Sequence, residues 1–506
     1  MHRCLLAPAL LCAAAAGLSA QSPPSPPGPA DDGTLPALTK IAGQGTMQSH
    51  AYAWVTELSD DIGSRVTGSP EMWQAVDWGV ARMKAIGLEN VHVERYQMWR
   101  GWTRGTAEIE LLSPRRVRLH VAAMGWTGST AGSVEADVVP VNLYQLDQEL
   151  QNPSRWKGKV LLIVTRGEPP KDRTPLFAAF GSFVKQAAAA GAVAVIGGQG
   201  GAQAAGMNLT HTGILGFSAD FSIPVVSMTA EDQGLLERDL DQGKALRVRV
   251  NIRNSFTPGP VEAANVVGEI RGREHPEQVF VVGAHLDSWD LAEGTTDNGC
   301  GSVAVLGAAE AIARSGERPR RTIRFVLFTG EEQGLLGSFA YVKQHQAEMA
   351  NHLGDLVLDE GQGPIKGFSL GGRDDLVAAF RPFASALGSF RAFTVDDHIE
   401  LGTDTAPFSL QGLPGINLDN GSPDYRYTHH SAADALEAVS PDVMAQNATV
   451  MAMTAYWVAD RPERLAAPWP ADRTEQKFVA EHQDGLLKAF GIWPFGAGAG
   501  ASPGSN

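Results

Sequence analysis

The chain has 506 residues, 43% of them hydrophobic and 19% charged, with a formal net charge of -15. That balance fits a globular protein of two or three domains, large enough to build its core without covalent staples. The acidic excess excludes non-specific attraction to nucleic acid or to an anionic membrane surface.

In chain order, residues 1–20 read as a removable export signal: basic His2 and Arg3, an apolar run from Cys4 to Leu18, and small Ser19 and Ala20 at the cleavage point. The run is shorter than the roughly 20 residues of a spanning helix, which argues against stable membrane insertion once the signal is removed. Cys12 follows Leu10 and Leu11 rather than a small residue, a poor setting for lipid attachment. The expected location is therefore secreted or periplasmic. Of the three cysteines only Cys300 outlasts the signal, so no internal disulfide is expected, and Cys300 reads as a small buried residue in a Gly-rich turn.

Residues 21–35 are a Pro-rich linker, and residues 36–124 form the first part of the main domain. A helix is marked there by Ser69 as cap, Pro70 at its first position, Trp73, Val76, Val80 and Met83 on one face, and Gly87 as stop. From 125 to 254 the pattern changes to short β-rich runs punctuated by Gly and Pro, which reads as an insert. Its pieces are a strand Val160 to Val164, a helix Phe183 to Gly191, strands Ala192 to Ile196 and Ile223 to Met228, and a helix start at Glu231 and Asp232.

From 255 to 465 strands alternate with helices: Val279 to Ala284, helix Ser302 to Arg314, Thr322 to Phe328, helix Gly334 to Gln346, and Leu356 to Leu358, with a later strand Gly415 to Leu418. The alternation predicts an α/β fold, a mostly parallel mixed sheet covered by helices on both faces. Residues 466–506 are a C-terminal extension, disordered from about 496.

Three of these strands run into metal-type side chains: the first into His285 and Asp287, the second into Glu331 and Glu332, the third into Asp359. Parallel sheets bind ligands beyond the carboxyl ends of their strands, so these groups converge on one crevice. Asp297 follows in a turn that opens a helix, and His430 comes from a loop after a further strand. Adjacent carboxylates such as Glu331 and Glu332 repel unless one binds a cation while the other handles protons. Two imidazoles among the donors favour zinc over magnesium.

HLDS at His285, DNGCGS at Asp297, GEEQGLLGS from Gly330, VLDEG around Asp359 and THHSAAD ending at Asp434 resemble the di-zinc exopeptidase family of aminopeptidases and glutamate carboxypeptidases. The likeness spans roughly residues 36–460. GSRVTGSPEMWQAVDW, MKAIGLENVHVE, HLDSWD and the pair His429-His430 bring it nearest to the carboxypeptidase Q branch. Within the insert, GKVLLIVTRG, an alanine-rich helix ending GAVAVI, and IPVVSMTAED resemble the protease-associated domain.

The resemblance implies the zinc exopeptidase fold and two zinc ions. His285 and Asp359 would hold one ion, Glu332 and His430 the other, and Asp297 would bridge them. Glu331 would be the general base, Asp287 would orient His285, and the peptide bond after Asp297 would be cis. Asp404, Tyr427 and His429 are candidates for substrate contact, Asp404 reading equally as a helix cap. The chain departs from the branch at Ala432, where a further His is usual, and at Cys300, within an otherwise all-Gly stretch. The implied activity is hydrolysis of dipeptides or short peptides. An aminopeptidase on the same scaffold, a non-catalytic binding protein and a single-zinc glutaminyl cyclase stand as alternatives. The oligomeric state is open, a homodimer included.

Overall fold

A computed structural model describes residues 33–171, 174–198, 206–391, 393–422 and 424–496. The expected signal at 1–20, most of the linker and the tail beyond 496 lie outside the described residues. Leu35, assigned to the linker, opens a helix, Leu35–Met47.

The main body is an eight-stranded mixed sheet. In spatial order it runs Glu89–Met98, Val261–Ile270, Arg321–Phe328, His275–His285, His352–Val357, Gly415–Asn420, Ile365–Ser369 and Thr394–Asp396. The four central strands are mutually parallel, and the outer pairs add antiparallel partners. The central strands Arg321–Phe328 and His352–Val357 are buried along their whole length, which is the sequence signature of a sheet covered on both faces.

One face is packed by helices Cys300–Ser315 and Pro441–Asp460 with Leu35–Met47 behind them. Gly307 permits this approach, since a Cβ there would lie 2.8 Å from the Ala448 Cβ. The helix Pro70–Ile86 carries the expected Ser69 cap, whose side chain accepts from the Met72 amide, and stops at left-handed Gly87. Its most buried face is Met72, Ala75, Val76, Gly79 and Met83, with Trp73 and Val80 flanking it. The opposite face is filled by Phe328, Tyr341, Val342, Met349 and Phe408, from helix Leu336–Gln344 and its neighbours. That helix starts two residues later than the sequence suggests, because Gly334 and Leu335 have left-handed backbones.

A second eight-stranded sheet holds Val117–Leu119, Ala107–Ser113, Arg247–Ile252, Val134–Asn142, Val160–Val164, Ala194–Gly198, Val225–Met228 and Val121–Ala123. It begins at Ala107, upstream of residue 125 where the composition changes. The chain enters and leaves it side by side, through the paired strands Gly101–Thr103 and Ser255–Thr257. The expected short helix at Phe183 is the second half of a longer one, Thr174–Ala189.

Candidate metal centre

Register alone gathers the first ligand candidates. His285 pairs with Phe328 across one parallel ladder, and Gly283 pairs with Val357 across the other, so His285, Glu331, Glu332 and Asp359 leave the sheet at one end. The turn Thr295–Gly299 brings Asp297 over them, with a cis peptide between Asp297 and Asn298 as the resemblance implies. His430 arrives from the loop after strand Gly415–Asn420, itself with a left-handed backbone.

The five ligand candidates form two half-sites that share one carboxylate. His285 Nε2 lies 2.9 Å from Asp359 Oδ1 and 3.3 Å from Asp297 Oδ1. His430 Nε2 lies 2.9 Å from Glu332 Oε2 and 3.3 Å from Asp297 Oδ2. Each oxygen of Asp297 thus faces its own imidazole and carboxylate. Glu331 Oε2 stands 3.9 Å from His285 Nε2.

Burial and mutual repulsion make this cluster unstable as bare anions. Burial pushes the Glu332 carboxyl well up, with Asp297 adding to it, and burial does the same to Glu331, where Asp359 and Glu332 reinforce it against His285. Among the described residues no lysine or arginine forms an ion pair with any of these carboxylates. Asp297 Oδ2 and Glu332 Oε1 are buried with no hydrogen-bond partner. Orphaned carboxylate oxygens facing imidazole nitrogens in a site without fixed cations are the donor set that divalent zinc satisfies.

The surroundings fix these groups. His285 Nδ1 donates to the Asp287 carbonyl at 3.0 Å, while the Asp287 carboxylate, 3.5 Å from the same nitrogen, accepts from Thr67 Oγ1 and the Glu331 amide. Asp287 therefore meets His285 chiefly through its main chain, and its side chain ties the Glu331 turn to Thr67. Asp434 accepts from the Thr296 amide and hydroxyl and from the Asp297 amide, holding the turn that presents Asp297.

A model of peptidase family M28 matches residues 265–455, the segment that carries all five ligand candidates. Carboxypeptidase Q of Xenopus laevis is 30% identical over 439 residues, covering 85% of this chain and 90% of the relative. The chain belongs to peptidase family M28. It is a zinc-dependent exopeptidase. The M28 peptidase precursor of Shewanella amazonensis SB2B has the same architecture, with a TM-score of 0.76 at 28% identity over 87% of this chain and 100% of that one. Aminopeptidase YwaD of Bacillus subtilis is 26% identical over 80% of this chain and 84% of its own. This M28 chain therefore resembles relatives named for either end of a peptide.

The candidate substrate contacts separate in the structure. His429 is half-exposed, stacks on His430 with ring centroids 3.8 Å apart, and has Nε2 3.9 Å from Asp297 Oδ2. Tyr427 is half-buried, under the Arg426 guanidinium. Asp404 is fully buried, its carboxyl pushed up by that burial, so no face of it meets solvent. It does not cap the helix Ala406–Ser409 either, since Thr405 occupies the cap position.

Sequence reasoning passed over four parts of this M28 site. Tyr425 packs on His429 at 5.0 Å. Trp289 stands edge-on to His430 at 6.0 Å. The buried guanidinium of Arg65 donates to the carbonyls of Leu286, Gly63, Glu293 and Gly294, knitting together the loop after His285. The segment Thr210 to Gly213, from the second sheet's side, hydrogen-bonds to the His430 loop. A charged Arg65 within a Gly- and Ser-rich stretch was a readable signal for the third; nothing local announced the fourth.

Proposed function

We propose that the chain is an exported exopeptidase that holds two zinc ions and cleaves dipeptides or short peptides, in the manner of carboxypeptidase Q. In this reading His285 and Asp359 bind one ion, Glu332 and His430 the other, and Asp297 both. The observation that carries it is the split of Asp297, one oxygen facing each imidazole and carboxylate pair at 3.3 Å. A pair of bound zinc ions supplies Lewis acidity that activates water and polarises the scissile carbonyl.

The chain's own groups do the rest. Glu331 accepts the proton of the attacking water at Oε2 and delivers it to the leaving amine, and its amide, tied to Asp287 Oδ1 at 3.3 Å, keeps the side chain beside His285. Asp287 fixes the His285 ring so that Nε2 faces the ions. His429 and Tyr427 border the cleft on its open side and contact the substrate. The second sheet, with boundaries at about 104 and 254, is a protease-associated insert, and the export signal directs the protein out of the cytoplasm.

A second reading, recognition of a free α-amine, has support of its own. Two arginines around the centre are committed elsewhere, Arg65 to four carbonyls and Arg104 to Asp290. Glu360, directly after Asp359, is a carboxyl that burial and Asp419 hold up to about 7. A carboxyl beside Asp359 suits an ammonium group better than a carboxylate.

Metal analysis with a panel of dipeptides blocked at either end tests both points. Two zinc ions per chain and loss of cleavage on amidating the carboxyl support the carboxypeptidase reading. Loss on acetylating the amine supports the aminopeptidase. One zinc per chain would remove the bridging role of Asp297.

A further inference from the structure

The two imidazoles are held by different parts of the chain. His285 is fixed within the main sheet's own loop, through Nδ1 to the Asp287 carbonyl at 3.0 Å and through its carbonyl to Ser302 Oγ at 2.7 Å. His430 faces a segment of the insert instead. The Thr212 amide donates to the His430 carbonyl at 2.8 Å, the Ala432 amide donates to the Thr210 carbonyl at 3.3 Å, and His211 bridges to Ser431 in antiparallel fashion. The ring packs against the same segment: a Cβ added at Gly213 would lie 3.4 Å from Nδ1.

Thr212 is in turn pinned. It is 2% exposed, and its hydroxyl donates to the Ala123 carbonyl at 3.2 Å and accepts from Arg104 Nη2 at 2.9 Å. Arg104 also donates to the Ala123 carbonyl and grips Asp290 through Nε and Nη2 at 2.9 and 2.6 Å. Asp290 stands on the loop that follows His285. The order Asp290, Arg104, Thr212, His430 therefore runs from the main body into the insert and back to the metal centre.

We infer that the insert is part of the metal centre: Arg104, locked on Asp290, holds Thr212 so that its amide fixes the His430 backbone in place, and the ion at His430 depends on the insert while the ion at His285 does not. This rests on the two-zinc reading. The physical reason is that a metal-bound imidazole holds its ion well only where outer partners fix its position, and losing such a partner typically weakens metal binding by about 10- to 100-fold. Arg104, Thr212 and Asp290 are positioning residues in this scheme, since none touches the ions.

The test is zinc titration of the metal-stripped full-length protein against a competing chelator, for wild type, Arg104→Met, His430→Ala and the double variant. Arg104→Met should raise one zinc dissociation constant by about 10- to 100-fold and leave the other within threefold. In the His430→Ala background it should add nothing. Equal weakening of both ions, no weakening in a folded variant, or an undiminished effect without His430 would each overturn the inference. If Arg104→Met does not fold, Thr212→Val and Asp290→Asn put the same question, and Arg104→Lys, which keeps the charge but not the fork, should fall between wild type and Met. A wild type that binds a single zinc refutes the two-ion reading instead, and the same cycle on that ion still decides whether Arg104 acts through His430.

Discussion

Replacing Arg65 with methionine should loosen the loop between His285 and Asp297 by about 3 kcal/mol, a figure that follows from two opposed effects. Four carbonyls lose a charged donor at 2.6 to 2.7 Å, and at about 1.5 kcal/mol for each such bond the loss is about 6 kcal/mol. Against this, burial lowers the guanidinium from 12.5 to about 10, with Asp434 and Asp287 opposing the shift. That drop, at about 1.4 kcal/mol per pH unit, says that holding the charge inside costs about 3 kcal/mol, which the substitution relieves. The remainder corresponds to an opening equilibrium about 100-fold larger. Hydrogen exchange followed by mass spectrometry on peptides spanning 286–299 reads it directly, the Ser288 amide, which donates to the Arg65 carbonyl, being the natural reporter. Exchange within threefold of wild type in a folded Arg65→Met protein would show that the loop holds itself and that the four bonds are incidental.

Glu331→Gln should retain its zinc while kcat falls by about 10²- to 10⁴-fold, measured on a dipeptide substrate beside metal analysis; near-normal turnover would take the proton-transfer role from Glu331. His352, fully buried, is lowered from 6.5 to about 4, first by burial and then by Arg324. Because the unfolded chain takes up that proton first, stability is intact above about pH 6.5 and declines towards pH 4, by about 3 kcal/mol from this residue. Urea unfolding at pH 7 and pH 4.5 should show an acid loss that shrinks in His352→Asn, and an equal loss in the variant would assign it elsewhere. Gly125→Ala places a Cβ 2.3 Å from Trp289 Cη2, so it should cost about 1 to 3 kcal/mol by overpacking and shift the thermal midpoint down; an unchanged midpoint would mean that the ring has room to move.

The main sheet and the convergence of the candidate ligands were legible because each depends on short-range pattern. Apolar runs of strand length ending in His285, Glu331 and Asp359 announce their own positions, and the parallel register does the gathering. The margins of the second sheet were not legible: Ala107–Ser113 finds its partner in Arg247–Ile252, more than a hundred residues away, and Val121–Ala123 finds its partner in Val225–Met228. Strand pairing at that distance leaves no periodic mark near residue 107. The helix Thr174–Ala189 was read from its alanine-rich half, although Thr174 followed by Pro175 is a recognisable helix start. Asp404 drew notice as a carboxylate near the ligand candidates in sequence, and its complete burial on folding is not written in that local pattern.

The two rims of the main sheet bear on self-association. At one, Glu89–Met98 carries Glu89, Glu94 and Arg95 along an outermost strand, and the Gln344 side chain already occupies the Arg95 carbonyl at 3.0 Å. At the other, Thr394–Asp396 offers only three residues. Charged or very short outermost strands resist the addition of a foreign strand. A second copy of this chain would therefore have to dock through helices or through the insert, and continuous strand-to-strand growth into fibres is disfavoured by construction.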